Sequence, residues 1–312
     1  MSIATPTTSD HATDATRLLL RAETRSSKRA ERRAERDAMH GKRSLWLYTA
    51  AVAAIAIIIN TPLFNAILVS FKPDGEIAKN PLALPTSPTL DHYANVLYAS
   101  GYDFPRFFMN SAMISIGTVL LVLAIAVPGT YAIVRMRFGG RWIIDGASGL
   151  RLLPAIFFVV PFFVMFSNMG LSDTILGLIV ANTFLNLPLA IILLASGLRD
   201  IPLEMEEAAS IDGAGVFRTL SSIVLPMLAP TIVAVSVLVF IFSWNDYLFA
   251  LVLSTSNATP VTLGASNFVT STGIRWGDIS AASFLSTLPP LLFAVFAQRY
   301  LVSGLSAGAV KG

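Results

Sequence analysis

The chain has 312 residues, enough for two soluble domains, yet 54% of them are hydrophobic and only 13% are charged. That balance excludes an ordinary soluble protein, and several apolar runs exceed the roughly 20 residues that cross a bilayer. The net charge of +3 says little by itself, since the placement of the basic residues carries the information. Cysteine is absent, so there is neither a disulfide nor a thiolate metal site, and His11, His40 and His92 are too far apart to suggest a histidine cluster. The fold class that follows is an all-α integral membrane protein.

Residues 1–44 form a polar arm with ten Lys/Arg against six acids. Its segment RSSKRAERRAERDAMH favours helix but has no sustained apolar stripe, which reads as a basic tail close to anionic lipid, with no nucleic-acid partner. It is not a cleavable signal peptide, because the apolar run at 45–71 is of span length. Residues 45–105 hold the first span and a loop, 106–303 the remaining spans, and 304–312 a short tail. Six spans are expected, at about 46–70, 108–134, 149–169, 174–198, 228–253 and 281–303. Pro154, Pro161 and Pro188 fall inside the third and fourth of these, where prolines either kink a helix beside a path or merely perturb packing. The loop at 72–105, with Pro81, Pro85 and Pro88, reads as irregular. The loop at 254–280 is rich in Asn, Thr, Ser and Gly and is suited to docking a soluble partner. With a cytoplasmic N-terminus, and with Arg151 and Arg299 at the inner ends of their spans, all but four of the 22 Lys/Arg lie inside. The four outside are Lys72, Lys79, Arg106 and Arg275, a bias that puts both termini in the cytoplasm.

One polar stretch, residues 199–226, interrupts this apolar landscape with Glu204, Glu206, Glu207 and Asp212. It reads as a short docked helix pair. Asp200 suits a cap, Pro202 a first turn, and the glutamates the positive end of the macrodipole. Ala208 and Ala209 leave a smooth face, and Asp212-Gly213 ends the helix because glycine tolerates positive φ. Val216, Phe217, Leu220, Ile223 and Val224 then recur at helical spacing, with Leu225-Pro226 and Pro230 closing the segment.

No phosphate-binding loop, nucleophile elbow or metalloprotease signature is present, so the chain is read as a non-enzyme without a cofactor of its own. Polar groups at membrane depth are few: Asn60, Asn110, Asn182, Asn186 and the cluster Ser243, Trp244, Asn245, Asp246 and Tyr247. Asp246 is the only carboxylate placed well inside a span, and either faces an aqueous cavity or ties helices together. Asn182, Asn186, Trp244, Asn245, Asp246 and Tyr247 are the candidates for a translocation path.

Glu207-Ala208-Ala209, three residues, Gly213, nine residues and then Ile223-x-Leu225-Pro226 resemble the EAA signature of bacterial ABC importer permeases. SFK at 70–72, FMNS at 108–111, YAIVRMRFGG at 131–140, WNDYLFAL at 244–251 and the terminus GLSAGAVKG are similar to the carbohydrate-importing, MalG-like branch. The likeness covers about residue 45 to the end and leaves the basic arm unexplained. It implies the type I permease fold, with six spans and a cytoplasmic coupling helix, in a bacterial inner membrane. It further implies a second homologous permease, two ATPase subunits that carry ATP and magnesium, and an extracytoplasmic solute-binding protein. On that resemblance Glu207 offers a charged contact to the ATPase, Ala208 and Ala209 close packing, Asp212 and Gly213 the turn, and Phe217 an apolar plug. The cargo would be a mono- or oligosaccharide, alternatives being a polyol, glycerol phosphate or a peptide. An ion-coupled secondary transporter is the competing class, but it wants midplane titratable groups within an internal repeat, and the sequence offers one carboxylate and no repeat.

Overall fold

A computed structural model describes residues 46, 48–98, 103–140, 142–270 and 273–309. The basic arm at 1–44 and residues 310–312 of the tail lie outside the described residues. The chain divides into two compact units, residues 1–64 and 65–312. The first contains most of helix α1 (Tyr48–Ser70), whose side chains up to Phe64 are exposed and whose Asn60 and Thr61 bond back to Ala56 and Ile57.

In the second unit, α2 (Asp74–Lys79) and α3 (Asp91–Tyr98) occupy what reads in sequence as an irregular loop. Each opens with an acidic first turn, and Pro81, Pro85 and Pro88 fall in the connection between them, so the prolines delimit helices here. α4 (Phe104–Val134) is a straight-through span, followed by α5 (Trp142–Leu152) and α6 (Ile156–Met169), which are bent by 98° at Pro154. The bent pair begins at Trp142, earlier than the expected span at about 149–169, and its break falls at Pro154, one of the two prolines expected either to kink that span or merely to perturb its packing. α7 (Ile175–Arg199) starts at Thr174, whose Oγ1 accepts from the Gly177 amide at 3.0 Å. Next come α8 (Leu203–Ile211), the long α9 (Val216–Trp244), α10 (Leu248–Leu253) and α11 (Val261–Gly264). A two-residue hairpin, β1 (Val269–Thr270) against β2 (Gly273–Ile274), precedes α12 (Trp276–Ala309). Five helices have the length and apolarity to cross a membrane, or six if the α5–α6 pair is counted as one span. The observed class is all-helical apart from that hairpin.

The interior is built on α4, α7 and α9. Val122 and Ala126 of α4, Ala190 and Leu194 of α7, and Val235 and Val239 of α9 are fully buried together. Lipid is as apolar as these side chains, so close approach and polar ties decide which faces meet. A Cβ at Gly117 would collide with Ile179, and one at Gly197 with Thr231. Ser243 Oγ donates to Thr118 Oγ1 at 3.2 Å, and the Trp244 indole N–H donates to the Ser286 carbonyl at 3.0 Å.

α9 departs from the sequence reading. Pro226 and Pro230 do not close the segment that begins at Val216, because a π-turn over Leu220–Val224 carries the helix into the span. Widening the i→i−4 ladder just before Pro226 accommodates the missing N–H and lets one helix run from the polar segment to Trp244. At its far end the helix stops earlier than the expected 253. Asn245 turns its amide back onto the Ile241 carbonyl at 2.8 Å, and Asp246 Oδ1 accepts from the Phe249 amide at 3.3 Å. Asp246 thus ties down the first turn of α10 and lies in the break between two helices, past the end of the long α9.

Candidate functional site

α8 is the centre of the first candidate site. Pro202 holds its N-cap position, and Asp200, expected as the cap, follows the last turn of α7 instead. The Gly213 expectation agrees with the geometry: φ is +79°, the Gly213 amide reaches Ser210 and the Ala214 amide reaches Ala209. This is the paired-bond helix stop that a left-handed residue permits.

The helix has two unlike faces. Glu206 and Ala209 are buried, whereas Glu207, Ala208 and Asp212 are exposed. The two alanines therefore do not form one smooth face; three-residue spacing sends Ala209 inward with Glu206 and leaves Ala208 outward. On the outward side Ile211 is 87% exposed and Phe217 82%, with Leu203, Met205 and Val216 also uncovered.

On the buried side, Glu206 is 7% exposed and is held by two groups from the end of α4. Arg135 Nε donates to Oε1 at 2.7 Å and the Tyr131 hydroxyl to Oε2 at 2.9 Å. The same guanidinium donates through Nη2 to the carbonyls of Leu198, at 2.9 Å, and Ile201, at 2.7 Å. One arginine thereby closes the C-terminal end of α7, the end of α4 and α8 into a single clamp. Sequence reasoning credits Glu206 only with a macrodipole role and gives Arg135 none. The available signal was an RMR triplet at the end of a span facing an acidic helix.

The translocation candidates separate into two groups. Asn182 and Asn186 are buried on α7; the Asn182 amide donates to the Leu178 carbonyl at 3.1 Å and to Asp246 Oδ2 at 3.3 Å, and the Asn186 amide to the Asn182 carbonyl at 2.8 Å. With Asp246 they line a cavity of about 210 Å³ that Arg151 also enters. Trp244 is instead packed at 2% exposure between Phe108 and Phe240, while Asn245 and Tyr247 are exposed beyond the helix end.

At the other end of α4 a second carboxylate organises a loop. Asp173, with φ +56°, accepts backbone N–H bonds from Thr255, Ser256, Asn257 and Ala258 at 2.9–3.1 Å, together with the Ser256 hydroxyl and the Asn257 amide. Burial pushes its carboxyl up, but the four backbone donors outweigh that and hold it well below the usual carboxylate range. Asn110 reaches the carbonyls of Asn257 and Thr259 at 3.0 and 2.9 Å, and Arg106 the Asn257 side chain at 3.2 Å. On α3, His92 is buried between Asp278 and the Lys72 carbonyl, each at 2.7 Å. Among the described residues no group of three or more His, Asp or Glu could hold a metal ion.

A bundle of helices long and apolar enough to cross a membrane, with one clamped polar helix at its end, has the make-up of a multi-span membrane protein. The family model described as "Binding-protein-dependent transport system inner membrane component" matches residues 140–307. Across 274 residues the chain is 36% identical to the trehalose/maltose transport system permease protein MalG of Thermococcus litoralis, covering 87% of this chain and 98% of that one. It is 34% identical to the trehalose transport system permease protein SugB of Mycobacterium tuberculosis over 259 residues, 80% of this chain and 92% of the relative. A solved bacterial ABC transporter for alginate shares the fold, with a TM-score of 0.68 at 22% identity over 83% of this chain and 96% of that one. The chain belongs to the family of binding-protein-dependent inner membrane transport components: it is a multi-pass permease of an ABC importer, a transport subunit and not a catalytic one.

Proposed function

We propose that this permease moves a sugar, a mono- or oligosaccharide, and that α8 is the helix through which a separate ATPase drives it. The carbohydrate assignment rests on the named cargo of the relatives, trehalose and maltose. The coupling assignment rests on α8 and the start of α9, where Leu203, Met205 and Ile211 of α8 and Phe217 of α9 leave an uncovered apolar surface near Glu207 while Glu206 fastens the other face of α8. An exposed apolar patch rimmed by charge is what a protein partner covers. In this reading two ATPase subunits, a homodimer or a pair, bind ATP and magnesium. A second homologous permease completes the pore, a solute-binding protein delivers cargo from outside, and lipid surrounds the spans.

Glu207, Ala208, Asp212 and Phe217 meet the ATPase groove, Gly213 sets the angle of entry, and Ala209 belongs to the clamped face. The α8 end, both termini and the basic arm face the cytoplasm, and the loop held by Asp173 faces outward. ATP-driven closure moves α8; the Arg135–Glu206 clamp passes that displacement to α4 and α7, and the π-turn passes it directly into α9. The cavity at Asn182, Asn186 and Asp246 then alternates between the two sides. Such coupling requires that the ATPase contact α8 differently in its two states. Trp244, Asn245 and Tyr247 support the turn that presents Asp246.

The test is co-purification from native membrane, followed by ATPase and uptake assays in lipid with and without Glu207→Arg. The reading expects a complex with an ATPase pair and second permease, and loss of assembly or uptake in the variant. Purification of the chain alone, with solute still moving down an ion gradient, would overturn it.

A further inference from the structure

His92 is buried, and each of its ring nitrogens faces an oxygen at 2.7 Å: Nδ1 the Asp278 carboxylate, Nε2 the Lys72 carbonyl. A carbonyl oxygen only accepts, so Nε2 carries a hydrogen. A carboxylate also only accepts, so the Nδ1 bond needs a second one. Wherever on that bond the proton rests, the pair holds one more than a neutral imidazole and a carboxylate hold together. Without it, two lone pairs oppose each other inside the protein and one of the two bonds is lost.

Three parts of the chain meet at this ring: α3, the connection from α1 to α2, and the first turn of α12. α12 comes so close that a Cβ at Gly277 would collide with the imidazole. Arg275 Nη2 pairs with the second Asp278 oxygen, and Asp74 of α2 stands 3.8 Å from Nε2. Lys72 directs its ammonium at the carbonyls of Asn80 and Pro81, each at 3.0 Å. On α3 itself Asp91 is exposed, and Asn95 is a neutral donor 3.5 Å from the Asp278 oxygen that His92 meets. Histidine is the side chain whose charge ordinarily changes between about pH 5 and 8, so this bond is the one in the cluster suited to answer to pH. The same end of the molecule holds the loop fixed by Asp173. Val96 of α3 packs with Phe104 and Phe107 of α4, Val261 of α11 and Ala281 of α12, and Asn110 of α4 binds the loop.

We propose that the His92–Asp278 bond is a proton-dependent latch that fastens α12 to α3 and steadies the surface on which a solute-binding protein docks; the docking part rests on the outward placement of this end in the reading above. With the proton present both ring bonds stand. As pH rises and the proton leaves, Nδ1 and the carboxylate repel, α12 loosens from α3, and docking weakens.

The experiment uses the complete importer in lipid nanodiscs between pH 6 and 9, with two readouts. The first is hydrogen exchange at residues 92–98 and 276–282, expressed as protection relative to the free-chain rate at each pH. Wild-type protection should fall at least tenfold across the range. Asp278→Asn lets a neutral imidazole keep both bonds, because an amide N–H donates to Nδ1 while the amide oxygen still faces Arg275. Its protection should change less than twofold and exceed that of the wild type at pH 9, whereas a purely structural contact would be weakened at every pH. If Asp278→Asn fails to assemble, His92→Gln, which has no proton to lose, should likewise give a flat profile. The second readout is ATPase stimulation by the binding protein loaded with maltose. Its apparent KM should rise at least fivefold from pH 6 to 9 in the wild type and stay within twofold in Asp278→Asn, with kcat following one pH profile in both. Wild-type protection that does not change with pH, or a pH response that Asp278→Asn reproduces, overturns the latch. Protection that falls while KM holds steady overturns its control of docking. The exchange readout needs no cargo, so it decides the latch even where the carbohydrate reading fails.

Discussion

Glu206 and Asp173 sit at opposite ends of α4, a helix about 46 Å long, and each carboxylate is the hub of its end. Their partners differ in kind. Glu206 takes side-chain donors, Arg135 and Tyr131, from another helix, and so joins whole elements to one another. Asp173 takes backbone amides of four consecutive residues, and so freezes one loop into one shape. A side-chain clamp can turn with its helices and still hold, whereas a nest of amides is satisfied in a single conformation. In the coupling proposed above, the end that carries α8 is the one that transmits displacement, and the end that carries 254–260 is the one that keeps a fixed shape.

The largest effect should come from breaking the clamp. Arg135→Ala leaves Glu206 buried without its cation, at a cost of about 3–5 kcal/mol, seen as a lowered thermal midpoint in detergent. Glu206→Gln, which keeps a hydrogen-bonding oxygen, should cost less and should uncouple ATP hydrolysis from uptake before it lowers stability. If both variants couple normally, the distinction between a transmitting end and a fixed end is lost.

Asp173→Asn sharpens the contrast, because asparagine tolerates the left-handed backbone and keeps one accepting oxygen while losing the charge and the second acceptor, Oδ2. It should cost about 1.5–3 kcal/mol locally, read as faster hydrogen exchange at residues 255–258, with coupling unchanged. At Gly213 no atom lies within reach of an added Cβ, so Gly213→Ala isolates backbone strain at about 1–2 kcal/mol, measured as weakened ATPase co-purification.

The smallest effect is one of pH. Asp173 has a carboxyl pKa lowered from its usual 3.8, so its stabilisation is fully present above that value and is lost as pH falls below it. Protection of the 255–258 amides should be flat from pH 8 to 5 and decline only in stronger acid. Glu76 behaves in the same direction. Hydrogen bonds from the Thr86 hydroxyl and amide hold its carboxyl at about 2, less far down than Asp173, so as pH falls the α2 connection should loosen before the loop does.

Hydropathy alone marks where the spans lie, and the stop at Asp212-Gly213 follows from a local backbone requirement that glycine meets. The exposed row of Glu207, Ala208 and Phe217 was also readable, since a polar helix between two apolar runs has to face outward somewhere. What sequence could not disclose are pairs far apart in the chain: Arg135 with Glu206, Asp173 with 255–258, and Arg151 with Leu185. Hydropathy measures how well a segment dissolves in lipid, and lipid is no more apolar than a helix neighbour, so it cannot say which face meets which. The break at 245–247 was hidden for a related reason. An apolar window averages over a side-chain cap, and only the bond from the Phe249 amide to Asp246 shows that the helix has ended. Tertiary packing alone decided that Arg151 meets the Leu185 carbonyl of α7, because the bend at Pro154 redirects a side chain in a way that composition does not record.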